Sequence, residues 1–274
     1  MAQRTVYFVS DQTGVTAETL GRSLLTQFDG VEFSRVTVPF VDTVDKAREV
    51  AKRINRVAEE EQQRPIVFTS LVQDEVRAPL LGCNALVLDF FDAFLAPLER
   101  ELSAKSSHAL GRAHGLFDTK GYNLRIEATN YAMAVDDGHG MRHYGQADLI
   151  LIGVSRSGKT PTCLYLALQY GIFAANYALA GDELESSDLP ESLRPYRDKL
   201  YGLTISPERL RQIRLERRSR GTYATPQQVS FELRAAESLF KRFSIPNLDT
   251  SKASIEEIAS TILNETGLER RVRA

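Results

Sequence analysis

The sequence predicts an α/β protein of two domains, each a parallel sheet covered by helices. Three observations carry that expectation. Short apolar runs of strand length alternate from end to end with longer segments whose apolar residues recur at helical spacing, the pattern of parallel strands joined by helical crossovers. The 274 residues suffice for one large domain or two ordinary ones with cores of their own. The alternation is interrupted once, from Ser106 to Gly121, by a stretch rich in small and polar residues, and a new strand–helix series then begins at Asp148. The expected division is a first domain over 1–105, a connecting helical segment over 106–146 and a second domain over 147–274.

Each element has its own signal. Thr5–Val9 reads as the first strand and Ala17–Phe28 as the helix after it; Val31–Val38 is a second strand. From Val44 the residues Ala47, Val50, Ala51, Ile54, Val57 and Ala58 keep helical spacing. Pro65–Leu71 and Ala85–Phe90 are strands, and a helix follows from about Ala93 to Leu102. Tyr122–Val135 is helical and closes on the turn Asp136-Asp137-Gly138. In the second series Leu149–Ile152 is a buried strand, Thr160–Tyr170 a helix, and Phe173–Leu179 and Leu200–Ile205 strands. Glu208–Arg218 and Gln227–Arg242 are helices, and Ile245–Leu248 is a short strand. The last helix, Ser254–Glu265, opens with Ser254 and Glu257 in capping-box spacing. No internal repeat or low-complexity tract is visible.

Composition excludes several classes. Thirty-four basic residues against 36 acidic ones leave a formal net charge of -2, so no global field holds the chain on nucleic acid or an anionic membrane. Cys83 and Cys163 stand far apart in apolar company, the pattern of buried reduced thiols and not of a disulfide framework or zinc site. No apolar run approaches the roughly 18 residues of a membrane span, and Met1-Ala2-Gln3-Arg4 runs into a strand without the apolar core of a signal peptide. The expectation is a soluble, cytoplasmic protein, with a homodimer as the default assembly. Within the basic total, 8 residues are lysine and 26 arginine. A lysine at a chemically demanding position is therefore informative.

One lysine holds such a position. Gly153-Val154-Ser155-Arg156-Ser157-Gly158-Lys159-Thr160 has the Walker A spacing. The glycines let backbone N–H groups turn inward onto phosphate oxygens, the following helix adds its positive end, Lys159 reaches the terminal phosphate, and the Thr160 hydroxyl can ligate Mg²⁺. A chance match in a chain of this length has a probability of roughly a few per thousand, and this one lies directly between a buried strand and a helix. With it, the fold class sharpens to an N-terminal Rossmann-like parallel-sheet domain followed by a P-loop kinase-like α/β domain. An Asn-Lys-x-Asp base-reading motif, expected of a GTPase, is missing. The helix bearing Arg209, Arg211, Arg214, Arg217, Arg218 and Arg220 reads equally as a solvated face or as a lid closing over phosphates.

Other candidates are weaker. Ser10-Asp11-Gln12-Thr13-Gly14-Val15-Thr16 also links a first strand to a first helix. It offers hydroxyls and free helix N–H groups, although a helix cap by Asp11 or Thr13 is the commoner use of such residues. No Walker B aspartate closes a later strand, so Asp136, Asp137 and Asp182 are the acids available to hold Mg²⁺ or accept a hydroxyl proton. His139 and His143 form an HxxxH pair in a glycine-rich turn with no third ligand; with His108 and His114 they complete the histidines and make no metal site.

A set of motifs resembles one family over nearly the whole chain: Ser10-Asp11-x-Thr13-Gly14-x-Thr16-Ala17-Glu18, Arg125-Ile126-Glu127-Ala128, Asp136-Asp137-Gly138, the run Ala147–Arg156, Lys159-Thr160-Pro161-Thr162, Gly202-Leu203-Thr204-Ile205 and Ser254–Ala259. They look like the bacterial and plant regulatory proteins of phosphoenolpyruvate synthase and pyruvate, phosphate dikinase. Lys159–Thr162 with Ala174-Ala175-Asn176-Tyr177 is most similar to the proteobacterial phosphoenolpyruvate synthase branch. Ala178 and Ala180 depart from it, standing where relatives often carry proline. The resemblance implies a bifunctional enzyme that uses ADP to phosphorylate a partner threonine beside a catalytic histidine, inactivating the partner. It reverses this with inorganic phosphate, releasing pyrophosphate. On that expectation phosphoenolpyruvate synthase is the partner, Gly153–Thr160 holds ADP, Lys159 stabilises the transferred group, and Asp137 or Asp11 handles the threonine proton or the phosphate. Two competing readings of the residues are a P-loop small-molecule kinase and a nucleotide-gated adaptor without catalysis.

Overall fold

The structure, a computed structural model, describes residues 3–107, 119–186, 188–217 and 222–272. The chain divides into two compact units, Met1–Gly115 and Leu116–Ala274. In the first, β1 (Gln3–Val9), β2 (Glu32–Val38), β3 (Ile66–Thr69) and β4 (Leu86–Asp89) form a parallel sheet in the order β2-β1-β3-β4. Successive residues of β1 point to opposite faces. Val6 and Phe8 pack with Phe68 under Ala17 and Leu25 of α1 (Val15–Leu25), whereas Tyr7 and Val9 pack against α2 (Val44–Glu60) and α3 (Asp74–Leu81) through Val50, Ile54 and Leu80. The Thr43 hydroxyl caps α2 by accepting from the Lys46 N–H. The Asp89 carboxylate caps α4 (Phe90–Leu102) by accepting from Asp92 N–H.

The second unit repeats this plan. β5 (Leu149–Val154), β6 (Ala174–Leu179), β7 (Leu200–Thr204) and β8 (Asn247–Asp249) are parallel in the order β6-β5-β7-β8. Leu149 and Leu151 face α6 (Lys159–Tyr170) and α10 (Ile255–Thr266). Ile150, Ile152 and Val154 face α9 (Pro226–Phe243) and Leu210 of α8 (Pro207–Arg217). α5 (Thr119–Ala134) runs along α6 and buries Ala128 and Ala132 in the same core as Leu149 and Leu151. The later part of the segment read from sequence as a connector is thus an integral layer of the second unit. A short helix, α7 (Asp182–Ser186), follows β6. Ser254 and Glu257 form the reciprocal capping box at α10.

In both sheets the first strand lies between the second and the third, so the chain leaves it in opposite directions. The crevices that open outside the carboxyl ends of β1 and β3, and of β5 and β7, are where ligands bind in open α/β sheets. Among the described residues no helix is long and apolar enough to cross a membrane. α3 and α7 were not foreseen. Their five to eight residues are too few to show a helical period, and Pro79 inside α3 opposes one.

α1 lies close on its sheet because Gly21 has no side chain. A Cβ there would stand 2.5 Å from Phe8 and 2.7 Å from Phe68. Gly21→Ala should therefore destabilise the first unit by about 1–3 kcal/mol through overpacking, despite alanine's better helix propensity. Urea unfolding checks this, and an unchanged or raised midpoint would show that the two rings can move aside.

Candidate functional site

The loop after β5 is shaped by close packing and two left-handed residues. β5 is buried along its whole length. At its end Gly153 passes so near β7 that a Cβ would lie 2.4 Å from the Leu203 carbonyl oxygen. Arg156 and Gly158 then take positive φ of 75° and 93°, and α6 starts at Lys159. Gly158 is its N-cap and supplies no side-chain acceptor, so the first-turn N–H groups and the positive end of the helix are left for another partner.

The loop's carbonyls are tied elsewhere. Lys159 Nζ donates to Val154 O at 3.0 Å, Arg214 Nη2 to Ser155 O at 3.1 Å, Thr250 Oγ1 to Ser157 O at 3.2 Å and Thr162 Oγ1 to Gly158 O at 2.9 Å. In a trans peptide the N–H points opposite to its carbonyl, so the outward bonds at Ser155 and Ser157 turn the N–H groups of Arg156 and Gly158 the other way. Among the described residues the buried Ser157 hydroxyl has no partner, a donor and acceptor that an arriving polar group would satisfy. Lys159 is 3% exposed. Burial lowers its pKa from 10.5 to about 8, with the Asp137 and Asp136 carboxylates opposing the shift. Such an ammonium gains by meeting an anion.

A second cluster adjoins the start of α6. Thr160 Oγ1 donates to Asp136 Oδ1 at 2.7 Å, and Asn176 Nδ2 donates to the same oxygen at 2.6 Å. The Asn176 carbonyl oxygen accepts from Asp137 N–H at 3.0 Å, which holds Asp137 in a left-handed conformation with φ 48°. Asn176 is fully buried on β6, and its main-chain carbonyl accepts from the Tyr144 hydroxyl at 2.8 Å. The two acids therefore divide their work. Asp136 engages the Thr160 hydroxyl, and Asp137 is the carboxylate that most favours the charged form of Lys159. Thr160 and Asp136 together are hard oxygen donors of the kind Mg²⁺ takes alongside water and phosphate oxygens. Among the described residues no three His, Cys, Asp or Glu side chains gather into a metal cage.

Sequence reasoning reached Lys159, Thr160, Asp136 and Asp137 but missed Asn176, Arg214 and Thr250 as supports. The signal for Asn176 was available: it is a polar residue inside an otherwise apolar strand. The arginine-dense helix is neither uniformly solvated nor uniformly free to close. Arg214 is fully buried while Arg209, Arg211 and Arg217 are exposed; Arg218 and Arg220 lie outside the described residues, as do His108 and His114. Asp182 begins α7.

Asp11 belongs to the first unit. It is buried at the carboxyl end of β1 and accepts from Val72 N–H at 3.1 Å, and burial raises its pKa. Neither Asp11 nor Thr13 caps α1, contrary to the commoner reading of those residues. The N-cap is Gly14, at φ 83° and without a side-chain cap bond. Ser10 Oγ instead accepts from Gln12 N–H and from the Ser70 hydroxyl.

Fold and site together define a two-unit α/β protein whose second unit is built around a strand–glycine loop–helix cradle with a buried lysine. The family model described as Kinase/pyrophosphorylase matches residues 6–263, and the chain belongs to that family. Three similar proteins bear the name "Putative phosphoenolpyruvate synthase regulatory protein". One, from Alcanivorax borkumensis, is 51% identical over 271 residues, covering 99% of this chain and all of the relative. One from Alkalilimnicola ehrlichii is 52% identical and covers 99% and 98%; another, from Halorhodospira halophila, is 52% identical and covers 98% of each.

The lysine's environment has a consequence for stability. Its folded-state pKa of about 8 lies below the unfolded value of 10.5, so between them the unfolded chain binds the extra proton and stability rises with pH. Below about pH 8 the buried charge destabilises the fold, and this burden is relieved as pH rises toward the unfolded value. Relative to Lys159→Met, the wild type should gain up to about 3 kcal/mol between about pH 8 and pH 10.5. Urea titrations of both proteins across that range measure it; a constant difference would mean that Lys159 titrates normally.

Proposed function

We propose that this protein is a cytoplasmic, bifunctional regulator of phosphoenolpyruvate synthase whose 153–160 loop holds the phosphates of ADP. The observation that carries the reading is the buried Lys159 ammonium, resting on the Val154 carbonyl of a loop whose Ser155 and Ser157 carbonyls are held by Arg214 and Thr250, beside a threonine hydroxyl already on a carboxylate. Membership of the kinase/pyrophosphorylase family and the names of the relatives support it.

In the forward reaction the partner's threonine oxygen attacks the terminal phosphorus of ADP, the bridging P–O bond breaks and AMP leaves. The threonine proton passes to a carboxylate, for which Asp137 and Asp11 are the candidates; burial raises the Asp11 pKa above its ordinary value, which favours accepting a proton. In the reverse reaction inorganic phosphate attacks the phosphothreonine phosphorus, pyrophosphate leaves and the threonine oxygen regains a proton. Both reactions place phosphoryl oxygens between anionic groups, so one positive cradle serves both. The backbone of Gly153, Val154, Ser155, Arg156, Ser157 and Gly158 surrounds the phosphates, Lys159 neutralises the transferred group, and Thr160 with Asp136 would hold Mg²⁺, which supplies charge neutralisation when bound.

Incubation with ADP labelled in its terminal phosphate and purified phosphoenolpyruvate synthase tests this. Label should appear on a partner threonine, and phosphate should then release it as pyrophosphate. Label on a small metabolite would favour a small-molecule kinase, and nucleotide binding without transfer would favour an adaptor. Lys159→Ala should lower the forward rate by about 10²–10³-fold, the scale of losing a transition-state charge contact. Asn variants of Asp137 and Asp11, assayed separately in the two directions, identify the proton acceptor; if each retained both rates, neither carboxylate would serve.

A further inference from the structure

Arg214, in the arginine-dense helix, is turned inward onto the loop. It is 0% exposed. Its Nη1 donates to Tyr223 O at 2.9 Å, and its Nη2 donates to Ser155 O at 3.1 Å and to Glu232 Oε2 at 2.6 Å. The guanidinium lies 4.2 Å from the centre of the Tyr223 ring, and the Tyr223 hydroxyl donates to Ser155 Oγ at 2.9 Å. The second Glu232 oxygen accepts from Gln228 at 2.9 Å. Both acceptor atoms of Ser155 are thus gripped by one network from α8, α9 and the turn between them.

Stability alone is a poor reason for this arrangement. A buried ion pair is often no better than apolar residues of equal volume, and here the buried Arg214 Nε has no partner among the described residues. What the network controls is the orientation of one peptide. Holding the Ser155 carbonyl fixes the N–H of Arg156 in the opposite direction, and Arg156 is a non-glycine residue kept at φ 75°, a conformation that persists only when its surroundings over-determine it. On its other side Thr250 holds the Ser157 carbonyl.

We propose that Arg214 and Tyr223 are positioning residues for phosphate binding, which aim the Arg156 N–H into the 153–160 cradle and so set its affinity for the phosphates of a nucleoside diphosphate. This rests on the reading of that loop as the ADP site. Through these two residues the α8–α9 layer would tune the site from behind.

The test uses the full chain and ADP as probe, with equilibrium binding, unfolding temperature without nucleotide, and the amide resonance of Arg156 as readouts. Arg214→Lys keeps the charge but cannot serve Ser155, Tyr223 and Glu232 together. It should weaken ADP binding about tenfold and abolish the Arg156 amide shift that ADP induces in the wild type. Tyr223→Phe removes only the hydroxyl; it should weaken binding about threefold with an unfolding temperature close to wild type. A merely structural role would lower unfolding temperatures and leave the affinity and the Arg156 response of the folded protein intact, and that result overturns the proposal. If Arg214→Lys does not fold, wild-type affinity in Tyr223→Phe overturns it. Lys159→Ala separates the two levels. Loss of ADP binding there, with wild-type binding in both network variants, sinks this inference alone, whereas a wild type that does not bind ADP sinks it together with the loop assignment.

Discussion

Burying one ammonium group organises the second unit. Lys159 is 3% exposed, and a charge removed from water must be met by dipoles and opposite charges or it will lose its proton. The Val154 carbonyl meets it directly, and Asp137 and Asp136 favour its charged form. Those acids need holding in turn. Asn176 is rooted in the middle of β6 and binds the Asp136 carboxylate with its amide and the Asp137 backbone with its carbonyl oxygen. These contacts therefore extend from the loop through two acids to β6, the edge strand beside β5.

The two units have the same strand order and enter their first helices in the same way, through a glycine N-cap near φ 83° in one and 93° in the other, without a side-chain cap. Their chemistry differs. Where the second unit presents a buried ammonium, the first presents Asp11, a buried carboxyl whose pKa burial raises. A group of that kind is suited to accepting a proton and ill suited to cradling phosphate, so equal topology has not produced equal sites.

The inner strands β1, β3, β5 and β7 were legible because buried parallel strands are largely continuous apolar runs, and the Gly153–Thr160 loop because its glycines and lysine have few other uses in that spacing. The repeated topology was not legible, since strand order leaves no mark on the sequence that connects the strands. Choosing between Asp136 and Asp137 was equally out of reach. Adjacent acids in a turn differ in direction only once Asn176 has pinned the backbone of one and the side chain of the other. Arg214 was hidden among five neighbours of its own kind, for helical spacing alone did not separate it from Arg211 or Arg217.

Within a chain of 26 arginines and 8 lysines, particular cations are put to different uses. Arg77 joins Asp74 and Asp89, Arg271 joins Asp148, and Arg214 serves Ser155, Tyr223 and Glu232 at once. These are tasks for a planar fork that remains charged when buried. Lys159 has the opposite task. On the proposed reading of the loop, a compact ammonium can leave the Val154 carbonyl for an incoming anion without dismantling several bonds, and the anion would oppose the lowering of its pKa by burial. An arginine at 159 would keep its charge whatever the loop contained. The cation that builds the cradle and the cation that answers to its contents are different residues because one must be fixed and the other responsive.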